Sequence, residues 1–402
     1  MEAIFPDSVV VTNKSKIVFL IIDGLGGLAM EGKGGTELQV ARTPNLDHLA
    51  ARSICGLLDP VAPGITPGSG PAHLALFGYD PVKWNIGRGV LEAFGIDFPL
   101  QENDVAARGN FATLDPQGKV VDRRAGRIST EMNQGLCAKV RERVDLTPRA
   151  EYYFEPARDY RVVLVLRGEG LHDDLTDTDP QALGVEPLAC KGTAPRAEET
   201  ARLINRFLSQ AQEVLAQEER ANGLLLRGFA KYRRYPSMEE RFGLRSLAIA
   251  NYPMYRGLAR LVEMELHPVC KDMRGEFAAL RERYQEFDYF FLHVKEPDSR
   301  GEDGDFDAKV RILEEVDALV PEITTLNPDV LVVTGDHSTP SKLRMHSWHP
   351  LPALLYSTYA RVDEVERFDE ISCARGGLGR QPMVNLMSLA LAHALRLTKY
   401  GA

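Results

Sequence analysis

Short apolar runs that stop abruptly at acidic or histidine-bearing loops constrain this chain more than any other feature. Residues 17–22 (IVFLII) run straight into Asp23-Gly24, with Gly26 and Gly27 close behind. Residues 330–334 (VLVVT) end in Thr334-Gly335-Asp336-His337-Ser338-Thr339-Pro340, and residues 287–294 (FDYFFLHV) lead to Lys295, Asp298, Gly301, Glu302 and Asp303. Such runs predict buried strands, and more lie at 162–166, 224–226 and 353–356. Helical patterns separate them. Thr43-Pro44 reads as a helix cap and first residue; residues 195–219 place Leu203, Ile204, Phe207, Leu208, Ala211, Val214 and Leu215 on one face; a last helix covers about 383–397. This alternation predicts an α/β fold with a largely parallel sheet, in which ligands gather beyond the carboxyl ends of the strands.

At 402 residues the chain is long enough for about two domains. Clustered arginines between 105 and 230 mark a segment unlike its flanks. The expected division is a core of 1–104 and 238–402 with an inserted domain over 105–237. A formal charge of −9 argues against a nucleic-acid or membrane surface as partner and leaves small anions as substrates. The N-terminal apolar stretch is too short for a signal or membrane segment, so a cytoplasmic protein is expected. The five cysteines, scattered and never spaced Cys-x-x-Cys, read as reduced structural thiols. Self-association is left open.

Adjacent Asp336 and His337 at a strand end offer oxygen and nitrogen to one cation, and His346 lies nine residues beyond His337. Asp23 could equally cap a turn, and the acidic loop with Asp298 and Glu302 could simply be solvated. Segment 63–80 holds Ser69 between two glycines ahead of an apolar helical stretch. Glycines allow close approach, and a helix N-terminus favours a phosphoryl group. A serine hydroxyl needs a base or a metal to become a nucleophile. No Gly-x-Ser-x-Gly elbow with a triad is present, so metal activation is the simpler account.

These motifs together resemble the alkaline phosphatase superfamily, and within it the archaeal-type 2,3-bisphosphoglycerate-independent phosphoglycerate mutases. The resemblance runs over nearly the whole chain: IIDGLG (21–26), ARTPNLDHLA (41–50), PGSGPAHLALFGYDP (67–81), GRGVLEA (87–93), NFATLD (110–115), DRRAGRIST (122–130), VLVLRGEG (163–170), TDTDP (176–180), LLLRG (224–228), PMYRGLARLV (253–262), TGDHSTP (334–340) and GGLGR (376–380). It implies an alkaline phosphatase-like parallel-sheet core with a smaller inserted α/β substrate domain. It also implies that Ser69 takes up a phosphoryl group. Asp23, Ser69, Asp336 and His337 would hold one divalent ion, and Asp298 and His346, with Glu302, the other. His73 falls where the wider mutase group carries a histidine.

Three positions depart from the pattern. Glu302 stands where a histidine is common, which makes the site richer in oxygen and favours manganese, then magnesium, over zinc. Gly70 and Gly27 each replace an aspartate. Arg108, Arg123, Arg124, Arg127 and Arg227 are candidates to grip phosphate and carboxylate oxygens. Asp177 and Asp179 could bond substrate hydroxyls or merely shape a turn. Arg256 and Lys295 are expected to face the transferred group, although Lys295 could simply neutralise its acidic loop. The implied activity is interconversion of 3- and 2-phosphoglycerate without added 2,3-bisphosphoglycerate, with closure of the arginine-bearing domain keeping water out. The alternatives are a metal-dependent phosphatase or phosphomutase acting on another small phosphate ester, and a non-catalytic metal-binding protein.

Overall fold

A computed structural model describes residues 9–84 and 86–401. They form two compact units, one of residues 86–235 and one of the described residues on either side. Before the insertion come strands β1 (Ile17–Ile22) and β2 (Ile54–Asp59). The inserted unit holds β3 (Val105–Leu114), β4 (Val120–Asp122), β5 (Glu151–Pro156), β6 (Arg161–Arg167) and β7 (Gly223–Lys231). After it follow β8 (Ser246–Ile249), β9 (Glu265–Leu266), β10 (Tyr289–Val294), β11 (Val330–Thr334), β12 (Leu351–Ser357) and β13 (Gly379–Pro382).

The core unit is built on an eight-stranded sheet in the order β13-β2-β12-β11-β1-β10-β8-β9. At its centre β1 runs parallel to both β10 and β11, with Ile22 level with Val294 and Ile21 level with Thr334. Every residue of these three strands is buried. That explains their unbroken apolar runs, since a parallel strand covered on both faces has no solvent side to mark with polar residues. The run at 353–356 belongs to β12, which is antiparallel to β11 and β2; the rest of the sheet is parallel.

The helix Pro44–Ala50 starts where Thr43-Pro44 predicts, but the Thr43 side chain does not cap it. Asp317 does: its carboxylate accepts from the amides of Leu46 (2.7 Å) and Asn45 (3.3 Å) and from the Asn45 side chain (2.9 Å). All five cysteines are free, four of them buried. Among the described residues no helix is long and apolar enough to cross a membrane.

The inserted unit has a wholly antiparallel sheet in which β3 pairs with β4, β6 and β7, and β5 pairs with β6. The runs at 162–166 and 224–226 therefore lie in this second sheet and not in the parallel one. Helix Glu198–Leu215 sends Leu203, Ile204, Phe207, Ala211 and Leu215 into a core with Phe111, Phe154 and Leu164, while Leu208 and Val214 are only partly covered. The unit begins at 86, well ahead of the expected 105, because helix Arg88–Gly95 packs on β3 and β7. Gly89 permits that contact: a β-carbon there would stand 2.1 Å from the Ala106 carbonyl oxygen.

Candidate active site

The level carboxyl ends of β1, β10 and β11 make the residues that follow them converge. Asp23, Asp336 and His337 are fully buried, with ligand-type atoms all within 4.8 Å of one another. His337 Nε2 stands 3.4 Å from Asp23 Oδ1 and 3.1 Å from Asp336 Oδ2. Asp298, His337 and His346 make a second such group, in which the two imidazoles stack at 3.6 Å.

Ser69 opens helix Ser69–Leu76, entered from Gly68 in extended conformation, and its Oγ lies 3.5 Å from His337 Nε2. One turn on, His73 donates from Nδ1 to the Ser69 carbonyl at 2.8 Å and stacks on Tyr255 at 4.5 Å. Burial pushes the His73 imidazole down to about 4, so it is neutral and acts as a brace for the turn that presents Ser69.

The protonation states are set by burial and crowding. Burial, then the neighbouring Asp336, pushes Asp23 well above the ordinary carboxylate range. Burial, then Asp298, raises Asp336 to about 7. Asp23 Oδ1 and Asp336 Oδ2 are buried without a hydrogen-bond partner. The other Asp23 oxygen is taken: Tyr255 donates its hydroxyl to Oδ2 at 2.6 Å and Lys295 Nζ lies 3.1 Å away. The two oxygens left bare are thus those that face His337. Lone pairs stranded in a dry interior are costly unless a proton or a cation meets them, and two carboxylates, an imidazole and a hydroxyl suit a divalent ion.

The tautomer of His337 follows from its neighbours. Thr339 donates its one hydroxyl proton to Asp298 Oδ1 at 2.5 Å, so His337 Nδ1, 3.0 Å from Thr339 Oγ1, must be the donor there. Nε2 keeps its lone pair, and burial holds the ring neutral. This is the form a metal ligand needs.

Lys295 contacts both Asp298 and Asp23. Burial pulls its ammonium down, but the two carboxylates outweigh it and the net shift is upward. Glu302 shares helix Glu296–Asp303 with Asp298 but is exposed, its Oε1 3.9 Å from His346 Nε2 and outside the tight groups. Arg256 sits on helix Pro253–Leu261, where its Nη1 donates to the carbonyls of His267 (2.6 Å) and Ala250 (3.1 Å).

In the inserted unit Arg123 grips Asp179 through two bonds, Nε to Oδ1 at 2.9 Å and Nη2 to Oδ2 at 2.6 Å. Arg227 Nη1 lies 3.8 Å from the same carboxylate and pairs with Arg108 across β3 and β7. Burial, opposed by Glu92 and reinforced by Arg161, Arg88 and Arg227, lowers the Arg108 guanidinium. Asp177 Oδ1 accepts from the Gly228 amide at 2.7 Å, so both aspartates of the TDTDP segment are engaged within the protein. Arg124 precedes the short turn Ala125–Arg127, Arg127 ends it, and both are exposed.

A family model described as 2,3-bisphosphoglycerate-independent phosphoglycerate mutase matches residues 50–221. The probable 2,3-bisphosphoglycerate-independent phosphoglycerate mutase of Thermus thermophilus is 52% identical over 391 residues, 96% of each chain. The chain belongs to that family. A homologue of the same name from Thermotoga sp. is 49% identical, covering 99% of this chain and 98% of its own. Among solved structures, the cofactor-independent phosphoglycerate mutase of Thermoplasma acidophilum aligns with a TM-score of 0.73 at 27% identity, over 95% of this chain and all of that one. A protein from Pyrococcus horikoshii aligns at 0.82 and 28%, over 97% and 100%. The family is one of isomerases, and the α/β architecture described above is shared with these two solved structures.

Within this family member, four residues around the site carry no expectation from sequence: Tyr255, His293, Lys309 and Thr339. His293 Nε2 lies 3.5 Å from Asp23 Oδ2, and neither ring nitrogen has a hydrogen-bond partner. A polar residue inside an apolar run such as FDYFFLHV looks like packing. Lys309, however, left a trace: on the helix Phe306–Thr324 it falls on the buried stripe with Phe306, Leu313, Val316 and Val320. The glycine at 27 also has a reason. A β-carbon there would stand 2.0 Å from Glu37 Oε2, so a neighbouring carboxylate already fills the space an aspartate would take.

Proposed function

We propose that this chain interconverts 3-phosphoglycerate and 2-phosphoglycerate through a phosphoryl group carried on Ser69, without added 2,3-bisphosphoglycerate. The observation that carries this reading is Ser69 at the start of its helix, 3.5 Å from the lone pair of His337 Nε2, beside two orphaned carboxylate oxygens. Asp23, Asp336 and His337 Nε2, with Ser69, would hold one divalent ion. Since His337 Nδ1 is committed to Thr339, the second ion would rely on Asp298 and His346, with Glu302 swinging in from solvent. Such ions lower the hydroxyl pKa of the serine and neutralise phosphoryl oxygens. The oxygen-rich set favours manganese over zinc.

The chain's own residues supply the rest. Ser69 Oγ loses its proton and forms a bond to phosphorus while the phosphorus–oxygen bond to glycerate breaks, the freed oxygen taking up a proton. The reverse step delivers the group to the other hydroxyl of the same glycerate. Lys295, kept charged by Asp23 and Asp298, is available to the phosphoryl oxygens. Arg108, Arg123 and Arg227 offer donors to the carboxylate and phosphate of the substrate, with Asp179 holding Arg123 in a fixed orientation. Arg124 and Arg127 are further candidates, and Arg256, whose Nη1 donates to the Ala250 and His267 carbonyls, would face the transferred group.

The test is incubation of purified protein with 3-phosphoglycerate and manganese, following 2-phosphoglycerate and free phosphate together. Stoichiometric 2-phosphoglycerate is the expected result. Free phosphate as the main product would make the protein a phosphatase and sink the mutase reading.

A further inference from the structure

Behind the ligand groups lies a buried set of charges that the reaction does not use. The Lys309 side chain is completely buried and its ammonium points at backbone: Nζ donates to the carbonyls of Gly24 at 2.7 Å, Thr339 at 2.9 Å and Gly26 at 3.3 Å. Gly24 and Gly26 belong to the loop that begins at Asp23, and Thr339 to the loop that carries Asp336 and His337. Glu37 Oε1 lies 3.9 Å from the ammonium and accepts from the Ser341 amide at 2.8 Å. Glu370 holds the Gly27 amide at 2.8 Å and the Thr36 hydroxyl at 2.7 Å. Both loops are thus tied from behind by one cation, and that cation is fenced by two acids.

Three donors on one ammonium are its full complement. A buried lysine is expensive to keep, and this one has no exit to solvent and no reacting atom near it. What it does touch are the carbonyls one and three residues after Asp23 and two residues after His337. We propose that Lys309 is a positioning residue, a built-in cationic cross-link that sets the separation of Asp23 from Asp336 and His337. The inference rests on the reading of these three as ligands of a divalent ion.

Two effects of removing the lysine have opposite signs, which makes the inference testable. Loss of a positive charge near the ligands by itself tightens cation binding. Loss of the cross-link lets the loops drift apart and weakens it, and removal of outer contacts of this sort costs about 10–100-fold in metal affinity. The measurement is manganese binding by titration calorimetry to the metal-stripped full chain, for wild type and Lys309→Met, with thermal unfolding of both metal-free proteins alongside. A folded Lys309→Met that binds manganese about tenfold or more weakly is the expected result. Affinity unchanged within about twofold, or tighter, overturns the proposal, and a lowered unfolding temperature alone would mark the lysine as a packing element only. If Lys309→Met does not fold, Lys309→Gln is measured in its place; if neither folds, the lysine is a requirement of the fold and the assignment falls. Wild-type protein that binds no manganese would defeat the metal reading instead, a different outcome from any of these.

Discussion

The two units handle their carboxylates in opposite ways. In the core, Asp23 and Asp336 are crowded together in a dry interior, and burial first, then Asp336 acting on Asp23 and Asp298 acting on Asp336, drives both upward. In the inserted unit Asp179 is pushed up by burial too, but its bonds from Arg123 win and hold it below the ordinary range. The first arrangement leaves two buried carboxylate oxygens without a partner. The second is already complete, its cation being a side chain, and that frees Arg123 to be held in place while its remaining N–H groups stay available. One unit stores a demand for charge; the other presents charge that has been aimed.

That contrast breaks most sharply at the metal and the nucleophile. Chelation of divalent ions is expected to abolish activity, with manganese restoring it best, checked by turnover after stepwise addition of manganese, magnesium and zinc. Best recovery with zinc would contradict the oxygen-rich reading of Glu302. Ser69→Ala is expected to lower phosphoryl transfer at least about a thousandfold while manganese affinity and the unfolding temperature change little. Near-normal turnover in that variant would remove Ser69 from the chemistry.

A smaller effect is expected in the inserted unit. Arg123→Ala removes a charge-assisted grip worth about 1.5–3 kcal/mol, or roughly ten- to a hundredfold in retention of bound glycerate. Escape of glycerate exposes the phosphoryl group on Ser69 to water, so free phosphate should rise relative to 2-phosphoglycerate even as turnover falls. Asp179→Asn, which loosens Arg123 without deleting it, should move the same ratio less. An unchanged product ratio in both would confine this cluster to folding.

How much of this was legible in sequence follows the same divide. The three central strands and the residues that end them stood out because a parallel strand buried on both faces is apolar along its length, so Asp23, Lys295 and Asp336 appear as sharp breaks. β3 could not be read that way, since VAARGNFATL mixes arginine, glycine and asparagine into a strand whose sheet is antiparallel and partly open. The edge strands β9 and β13 are too short, with two and four residues, to show a period. Ligand-type residues were visible by type. Tyr255, Thr339 and Lys309 were not, because what they contribute is a distance to another loop, and spacing along the chain carries no record of that.

The last expected effect separates burial alone from the crowding built into the ligand groups, and it needs a buried acid far from them in role. Glu276, on the helix Met273–Arg283, is such an acid: it is 3% exposed, and its Oε2 has no hydrogen-bond partner. Burial first, then Glu296 and Asp272, raise its carboxyl to about 9, whereas an unfolded glutamate titrates near ~4.3. Between those values the folded chain binds a proton that the unfolded chain releases, so this group makes stability fall as pH rises through that window. Glu276→Gln cannot ionise. At about pH 5 it should come close to wild type, since a protonated carboxyl and an amide are both neutral and nearly the same shape, the amide bringing one more buried N–H donor. By about pH 8.5 it should be the more stable protein by more than about 1.4 kcal/mol, the equivalent of a single pKa unit. Urea unfolding of the metal-free proteins at the two pH values would measure this. A variant with the same pH slope as wild type would mean that Glu276 finds water or a counter-charge when it ionises, and that the upward shift of the core acids owes more to their crowding than to dryness.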